Sequence, residues 1–262
     1  GLGTAGAALG TGLAELVVGL YLLYFVLRRS PVLRLQKGEH LRFNRPQLCT
    51  MLCIAAPVAS EKVILTTAQI VSTAIVAPLG TVAIAANSFA ITAESLCYMP
   101  AFGIQSAAAM LVGQSVGAGR RSMARRLGWV TVLIGVAVMV ITGGLLYILA
   151  PQMMAILTPN PDIIALGARI LRIEAFAEPL FGASIVAGGV FQGVGSTLMP
   201  TLFNLGTMWG IRIPLAWLAA PRWGLPGVWA AMCLELCVRG VLYLTRLAGK
   251  RWLPPGNQNE QA

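Results

Sequence analysis

Seven charge-poor apolar runs, at 4–27, 52–77, 81–112, 127–150, 163–190, 200–219 and 225–246, occupy most of this 262-residue chain. Each reaches about the 20 residues that an α-helix needs to cross the hydrocarbon core of a bilayer. A backbone in lipid must satisfy its own hydrogen bonds, which leaves helices or closed barrels. Barrel strands read as alternating segments of about 10 residues, and the sequence has none. Composition agrees, at 57% hydrophobic and 11% charged residues with a mean hydropathy of +0.77. The expectation is an all-α integral membrane protein with seven transmembrane helices and no soluble domain in the connections.

A net charge of +10 raises the question of a nucleic-acid partner, and the placement of the basic residues answers it in the negative. Arg28, Arg29, Arg34, Lys37, Arg42 and Arg45 fill one connection, Arg120, Arg121, Arg125 and Arg126 another, and Arg246, Lys250 and Arg251 follow the last run. These connections alternate along the chain, so the three groups share one side of the membrane. The other side offers Arg222. By the positive-inside rule the 28–45 segment, the 117–126 loop and the C-terminus are cytoplasmic, with the loop arginines also placed to meet anionic lipid.

The chain offers little for catalysis or metal binding. Cys49 and Cys53, like Cys233 and Cys237, are spaced i, i+4 in helical segments, and the single histidine, His40, lies in the basic linker. They read as small buried apolar side chains, and a zinc site lacks ligands. No P-loop, G-x-S-x-G or H-E-x-x-H is present, which argues against an ATP-driven pump or a hydrolase. Gly6/Gly10, Gly113/Gly117, Gly189/Gly193 and Gly206/Gly210 repeat at the G-x-x-x-G spacing of close helix packing.

An internal repeat organises the chain. "GTAGAALGTGLAELVVGLYLL" from Gly3 resembles "GLPGVWAAMCLELCVRGVLYLT" from Gly224, with Glu15-Leu16 and Glu235-Leu236 in matching places 220 residues apart. The first run is then the last helix of one lobe and the remaining six form a second lobe. Six spans per lobe give both the same orientation, as in transporters built from parallel repeats. The sequence begins at Gly1 in mid-helix pattern without a signal peptide, and reads as part of a longer protein with a preceding lobe. The expected organisation is a helix at 1–28, a cytoplasmic interlobe linker at 29–45, a six-helix lobe at 46–248 and a cytoplasmic tail at 249–262.

Ionisable groups within the spans are costly and by default mark a pathway or an ion pair. Glu61 and Lys62 follow Pro57, and with Thr66, Gln69, Ser72 and Thr73 they fall within an arc of roughly 140° at helical spacing. This polar stripe faces either water or another helix, with Lys62 free to neutralise Glu61 or a neighbouring acid. Glu94 precedes Pro100 and Gly103, where a kink frees carbonyls beside the carboxylate. The pair serves either as a cation site or as a packing kink around a protonated acid. In "EAFAEPLFGASIVAGG", Glu174 and Glu178 share a helix face, Arg169 and Arg172 point nearly opposite, and Pro179 leaves the Ala175 carbonyl without its usual donor. Two carboxylates on one face of a cavity suit exchange of a proton or cation; the alternative is a salt bridge to an arginine of another helix. Glu235 and Arg239, in favourable i, i+4 order, read as a structural pair.

"MPAFGIQSAAAMLVGQSVGAGRRSMARR" (99–126) resembles the Met-Pro-x-x-Gly and Val-Gly-Gln-x-x-Gly-Ala-Gly pattern of multidrug and toxic compound extrusion (MATE) transporters. "ILTPNPDI", "GGVFQGVGST", "WGIRIPLAW" and "GLPGVWAA" continue it in order and spacing. The resemblance implies a twelve-helix, two-lobe antiporter of the inner membrane that exports organic cations or other amphiphiles against sodium or protons, with no other cofactor. It would place here the C-terminal lobe and one preceding helix, working together with the absent lobe. Glu61, four residues after Pro57, matches a coupling acid of the family's seventh helix, and Glu94 matches an acid in the eighth helix of some members. The tenth helix of other members carries an acid corresponding to Glu174 or Glu178. Ser196 stands where Asp is usual in one bacterial branch. Two other readings remain: a lipid-linked oligosaccharide flippase of the same superfamily, marked by arginines in the cavity, or a non-transporting membrane interaction protein.

Overall fold

The structure, a computed structural model, describes residues 3–28, 45–249 and 252–253. Within them every regular element is helical: α1 (Gly3–Arg28), α2 (Arg45–Val76), α3 (Thr81–Gly117), α4 (Arg121–Leu157), α5 (Pro161–Glu174), α6 (Glu178–Gly193), α7 (Leu198–Thr207) and α8 (Ile213–Ala248). The chain divides into two compact units, Gly1–Cys49 and Thr50–Ala262. The first contains α1; the second holds the site described below. Nearly all of the expected interlobe linker, including His40, and most of the expected tail lie outside the described residues.

Five helical stretches are long and apolar enough to cross a membrane: Leu9–Arg28, Lys62–Leu79, Thr81–Gly117, Arg121–Leu157 and Leu198–Ala248. The difference from the expected seven has two local causes. The fifth expected span is interrupted: α5 stops at Glu174, Ala177 N–H turns back onto the Glu174 carbonyl at 2.8 Å, and α6 restarts at Glu178. Pro179 cannot donate to the Ala175 carbonyl, so a full helical register across this point is not available. The sixth and seventh expected spans lie within one 51-residue helical stretch. That stretch turns at Gly224, whose φ of +61° and ψ of −147° interrupt the helix between Pro221 and Pro226. Only glycine adopts this conformation without strain. At Pro100, by contrast, α3 continues as one helix to Gly117.

Local signals set several helix ends. The sequence Asn160-Pro161-Asp162 starts α5 with an Asn160 side chain accepting from Asp162 N–H at 3.0 Å and proline at the first helical position. Between α7 and α8, Met208–Arg212 forms a π-helical turn in which Ile213 N–H donates to the Met208 carbonyl. Pro214 follows, and its missing N–H removes the ordinary bond to the Gly210 carbonyl, which favours the wider turn.

The interior of the second unit is built from small residues. Ala83, Ala86, Ala90, Ala93, Cys97 and Ala101 recur every third or fourth position along α3 and are all buried. From Ala83 to Cys97 the stripe shares one apolar cluster with Leu146 and Met154 of α4, Ile170 and Leu171 of α5 and Trp229 of α8. The G-x-x-x-G expectation holds at Gly189/Gly193: a Cβ at either position would run into the backbone of Gln105 or Ala109 on α3. Gly10, Gly117, Gly206 and Gly210 face open space instead. The outward face of α4 presents Leu133, Ile134, Ile141, Leu145 and Ile148, the apolar surface a lipid-facing helix requires.

One end of the bundle collects basic side chains. Arg121 donates to the Leu253 carbonyl at 3.3 Å and Arg125 to the Ala248 carbonyl at 3.5 Å, near the C-terminal end of α8. Cations there satisfy orphan carbonyls and oppose the helix dipole. The 117–126 turn and the end of α8 therefore lie at the same end of the unit, as alternation along the chain requires. Trp252 folds back into the core beside Phe191 and donates to the Leu247 carbonyl at 2.9 Å.

Candidate substrate and ion site

The second unit carries a partly open cavity of about 810 Å³. Its wall is mixed in character. α2 contributes Lys62, Gln69, Ser72 and Thr73, the polar stripe anticipated from helical spacing; the Glu61 side chain itself lies outside the described residues. α3 contributes Asn87, Glu94 and Tyr98, α6 contributes Phe181 and Ser184, and the α7–α8 stretch supplies Asn204, Arg212, Trp229 and Arg239. Aromatic faces with a few fixed polar groups are the usual make-up of a small-molecule site.

Two polar links hold the wall together. Trp229 Nε1 donates to Asn87 Oδ1 at 2.9 Å, joining α8 to α3. Asn204 Oδ1 accepts from Arg239 at 3.5 Å and lies 3.2 Å from the Tyr243 hydroxyl, which also reaches the Pro200 carbonyl at 3.2 Å. Arg239 Nε lies 3.3 Å from Glu235 Oε1, the ion pair expected from their spacing, and its guanidinium rests 5.5 Å from the Phe181 ring centre.

Behind this wall sits a cluster of buried charge. Glu94, Glu174, Glu178 and Glu235 face only Arg212 and Arg239 as buried cations among the described residues. They form one electrostatic group: Glu174 is within range of Glu94, Glu178, Arg212 and Glu235, and Glu94 within range of both arginines. Four carboxylates against two guanidiniums leave an excess of two negative charges if all six are ionised. An uncompensated buried charge costs several kcal/mol, so the cluster must take up positive charge from outside itself.

The structure places three of the anticipated acids in this cluster, with one revision. Glu174 and Glu178 are both fully buried, and among the described residues neither carboxylate forms an ion pair; Glu174 has no hydrogen-bond partner there, and Glu178 has the Cys97 thiol of α3 beside it. They do not face lipid, nor are they locked to an arginine. They also do not line the cavity, which Glu94 does. The expectation of a shared face on one continuous helix is replaced by a broken one: Glu174 ends α5 and Glu178 begins α6, on either side of the Ala175–Ala177 turn. Gly143 of α4 lies against this break, where a Cβ would fall 2.9 Å from the Glu178 Cβ. Of the two arginines near the acids in sequence, Arg172 turns away, with Nε 3.4 Å from the Tyr147 carbonyl and its guanidinium 5.6 Å from that ring centre.

Sequence reasoning missed Arg212 as a site residue, together with Asn87, Asn204 and Trp229. For Arg212 the signal was present: it is a lone charge within an apolar run, the same criterion that singled out the acids.

The MatE family model matches residues 57–218. A Thermotoga maritima protein described as a probable multidrug resistance protein NorM is 28% identical over 260 residues, covering 96% of this chain and 54% of its own. A Chromobacterium violaceum protein of the same description is 30% identical over 186 residues, covering 68% of this chain and 40% of its own. The chain spans about half the length of the curated relatives it matches. Solved structures share the fold. A MATE crystal structure in complex with MaL6 superposes with a TM-score of 0.82 at 17% identity, over 95% of this chain and 57% of that one. The outward-facing conformation of a multidrug resistance MATE family transporter of the MOP superfamily gives 0.81 at 17% identity, over 93% and 56%.

Proposed function

The chain belongs to the MatE family, and from that premise we propose that it forms one lobe of a secondary antiporter that exports amphiphilic or cationic drugs in exchange for sodium ions or protons. The observation that carries this reading is the cluster of four carboxylates and two guanidiniums set against an 810 Å³ amphipathic cavity. A site with excess buried negative charge is stable when a proton or sodium ion occupies it. Glu94 belongs to both cluster and cavity wall, so ion occupancy and substrate occupancy meet at one side chain. Glu61, which helical spacing in the sequence sets with Lys62 and Gln69, is the further coupling acid of this reading. The breaks at Ala175–Ala177 and Gly224 supply places where helix segments reorient between inward- and outward-facing states. In this reading the protein resides in the inner membrane with the 29–45 linker and C-terminus cytoplasmic, anionic lipids contact the 117–126 arginines, and a second lobe completes the transport path.

The test uses the complete gene product in proteoliposomes, with export of a cationic dye driven separately by a sodium gradient and by a pH gradient. One of the two gradients is expected to drive export, and Glu61→Gln and Glu94→Gln to abolish it while leaving a monodisperse folded protein. Undiminished export by Glu61→Gln removes that residue from the mechanism. Absence of export of any amphiphile under either gradient overturns the transport reading.

A further inference from the structure

We propose that Arg169 and Arg222 form a binding site for the phosphate of an anionic phospholipid, in the leaflet opposite the 117–126 turn. The positive-inside rule gathers cations at the other end of the bundle, and the transport reading leaves Arg222 without a role. Arg169 is a charge set within an apolar run, and such a charge calls for a partner. Other arginines of the spans have theirs: Arg172 rests against the Tyr147 ring and carbonyl, and Arg212 and Arg239 belong to the buried cluster. Arg169 and Arg222 are exposed, and among the described residues neither makes a hydrogen bond or an ion pair. They nevertheless converge, because both line one open groove of about 390 Å³ with Trp223, Pro226, Gly227 and Ala230 as the rest of its wall. Among the described residues no acid lines that groove.

The fold holds both arginines in place. α4 leads from the 117–126 turn to the far end of the bundle, α5 starts there at Pro161, and Arg169 follows about two helical turns later. Its neighbours Ala168, Ile170 and Leu171 are buried in one cluster with Leu225, Val228 and Trp229 of α8, so Arg169 projects from an anchored stretch. Arg222 and Trp223 precede the Gly224 turn, and Gly227 lets the returning segment lie against them: a Cβ there would fall 2.9 Å from both the Ala219 carbonyl oxygen and the Trp223 Cβ. Two guanidiniums on one groove repel until an anion joins them, and a phosphate's oxygens match the planar fork of each. The rest of the wall favours a lipid over free phosphate. Trp223, 69% exposed, is the amphipathic side chain of a membrane interface, and Pro226 and Ala230 add apolar surface for an acyl chain. Asp162, on nearly the same face of α5, stands seven residues from Arg169 and outside the groove wall. A phosphate held by both arginines ties α5 to the turn of α8. The competing role is a pair of solvated surface cations, which predicts generic lipid contact unchanged by removal of either arginine.

Photolabelling separates the two. The complete gene product in detergent micelles is irradiated with a trace of phosphatidylglycerol bearing a diazirine next to its headgroup, and labelled peptides are quantified by mass spectrometry. Label is expected on the segments around Arg169 and Arg222, and excess phosphatidylglycerol should displace it where excess phosphatidylcholine does not. Arg169→Gln and Arg222→Gln should each lower groove labelling about fivefold, the scale of one basic side chain near an anionic lipid surface, and the double variant roughly tenfold or more. Labelling of the 117–126 loop in the same sample is the internal reference and should stay constant. Arg126→Gln, at the opposite end of the bundle, should leave groove labelling unchanged. Inorganic phosphate is the second competitor. Failure of millimolar phosphate to protect the groove supports the lipid; protection by it assigns the anion site to soluble phosphate and overturns the lipid as occupant. Groove labelling unchanged in the single and double variants, or displaced equally by phosphatidylcholine, overturns the proposal. These measurements need no export, so failure of the transport reading leaves their outcome intact.

Discussion

Trp229 and Asn87 meet through a 2.9 Å hydrogen bond between residues 142 positions apart, and this bond links the α8 and α3 sides of the cavity wall. Trp229 is almost fully buried and packs among the alanines of α3. Replacing it with phenylalanine keeps an aromatic ring and removes the donor. Trp229→Phe should therefore cost about 1–2 kcal/mol, the range for one buried hydrogen bond with an orphaned acceptor. Trp229→Ala should cost about 3–5 kcal/mol through cavity formation. Thermal unfolding in detergent orders the two variants; equal shifts would mean the hydrogen bond contributes nothing beyond ring packing.

The contact between α6 and α3 makes a sharper demand. At Gly189 a Cβ would collide with the Gln105 backbone, which cannot move aside as a side-chain tip can. Gly189→Ala should separate the helices and cost about 1–3 kcal/mol, the usual range for overpacking, and Gly189→Leu should abolish folded expression. Gly210→Ala, at a position with open space, is the matched control and should leave the melting temperature near its starting value. A Gly189→Ala protein as stable as the control would show that the helix approach is looser than described.

Much of this architecture was legible because lipid enforces a strong grammar. Charge-poor runs mark spans, and each acid within a run is conspicuous because water is not there to solvate it. Glu94, Glu174 and Glu178 stand out for that reason, and the G-x-x-x-G at Gly189 for its spacing. The partners were less legible. Nothing local says that Asn87 meets Trp229 or that Asn204 collects Arg239 and Tyr243, since these contacts depend on which helices become neighbours. The break between Glu174 and Glu178 was half visible: Pro179 announces a missing hydrogen bond, but whether the helix bends or stops depends on Gly143 of α4 admitting the turn. The same uncertainty separates Pro100, inside an unbroken helix, from Gly224, where the backbone reverses sign of φ.

The final prediction concerns that break. Glu174 is fully buried without a hydrogen-bond partner among the described residues, and Glu178 is fully buried with the Cys97 thiol beside it, so a neutral isostere, whose amide oxygen still accepts from a thiol, removes little that the fold relies on. Glu178→Gln and Glu174→Gln should each leave the melting temperature in detergent unchanged or raised, since replacing an unpaired buried carboxylate removes a desolvation cost. Their effect should fall on coupling instead. Removing one acid reduces the excess negative charge of the cluster from two to one, by the count of four carboxylates and two guanidiniums. One fewer proton or sodium ion is then needed to neutralise it. Export by Glu178→Gln in proteoliposomes should accordingly show a weaker dependence on external pH or sodium than the unmodified protein. A strongly destabilised variant would show that the carboxylate is bonded in the fold, and a pH and sodium profile superimposable on the original would remove Glu178 from the coupling group.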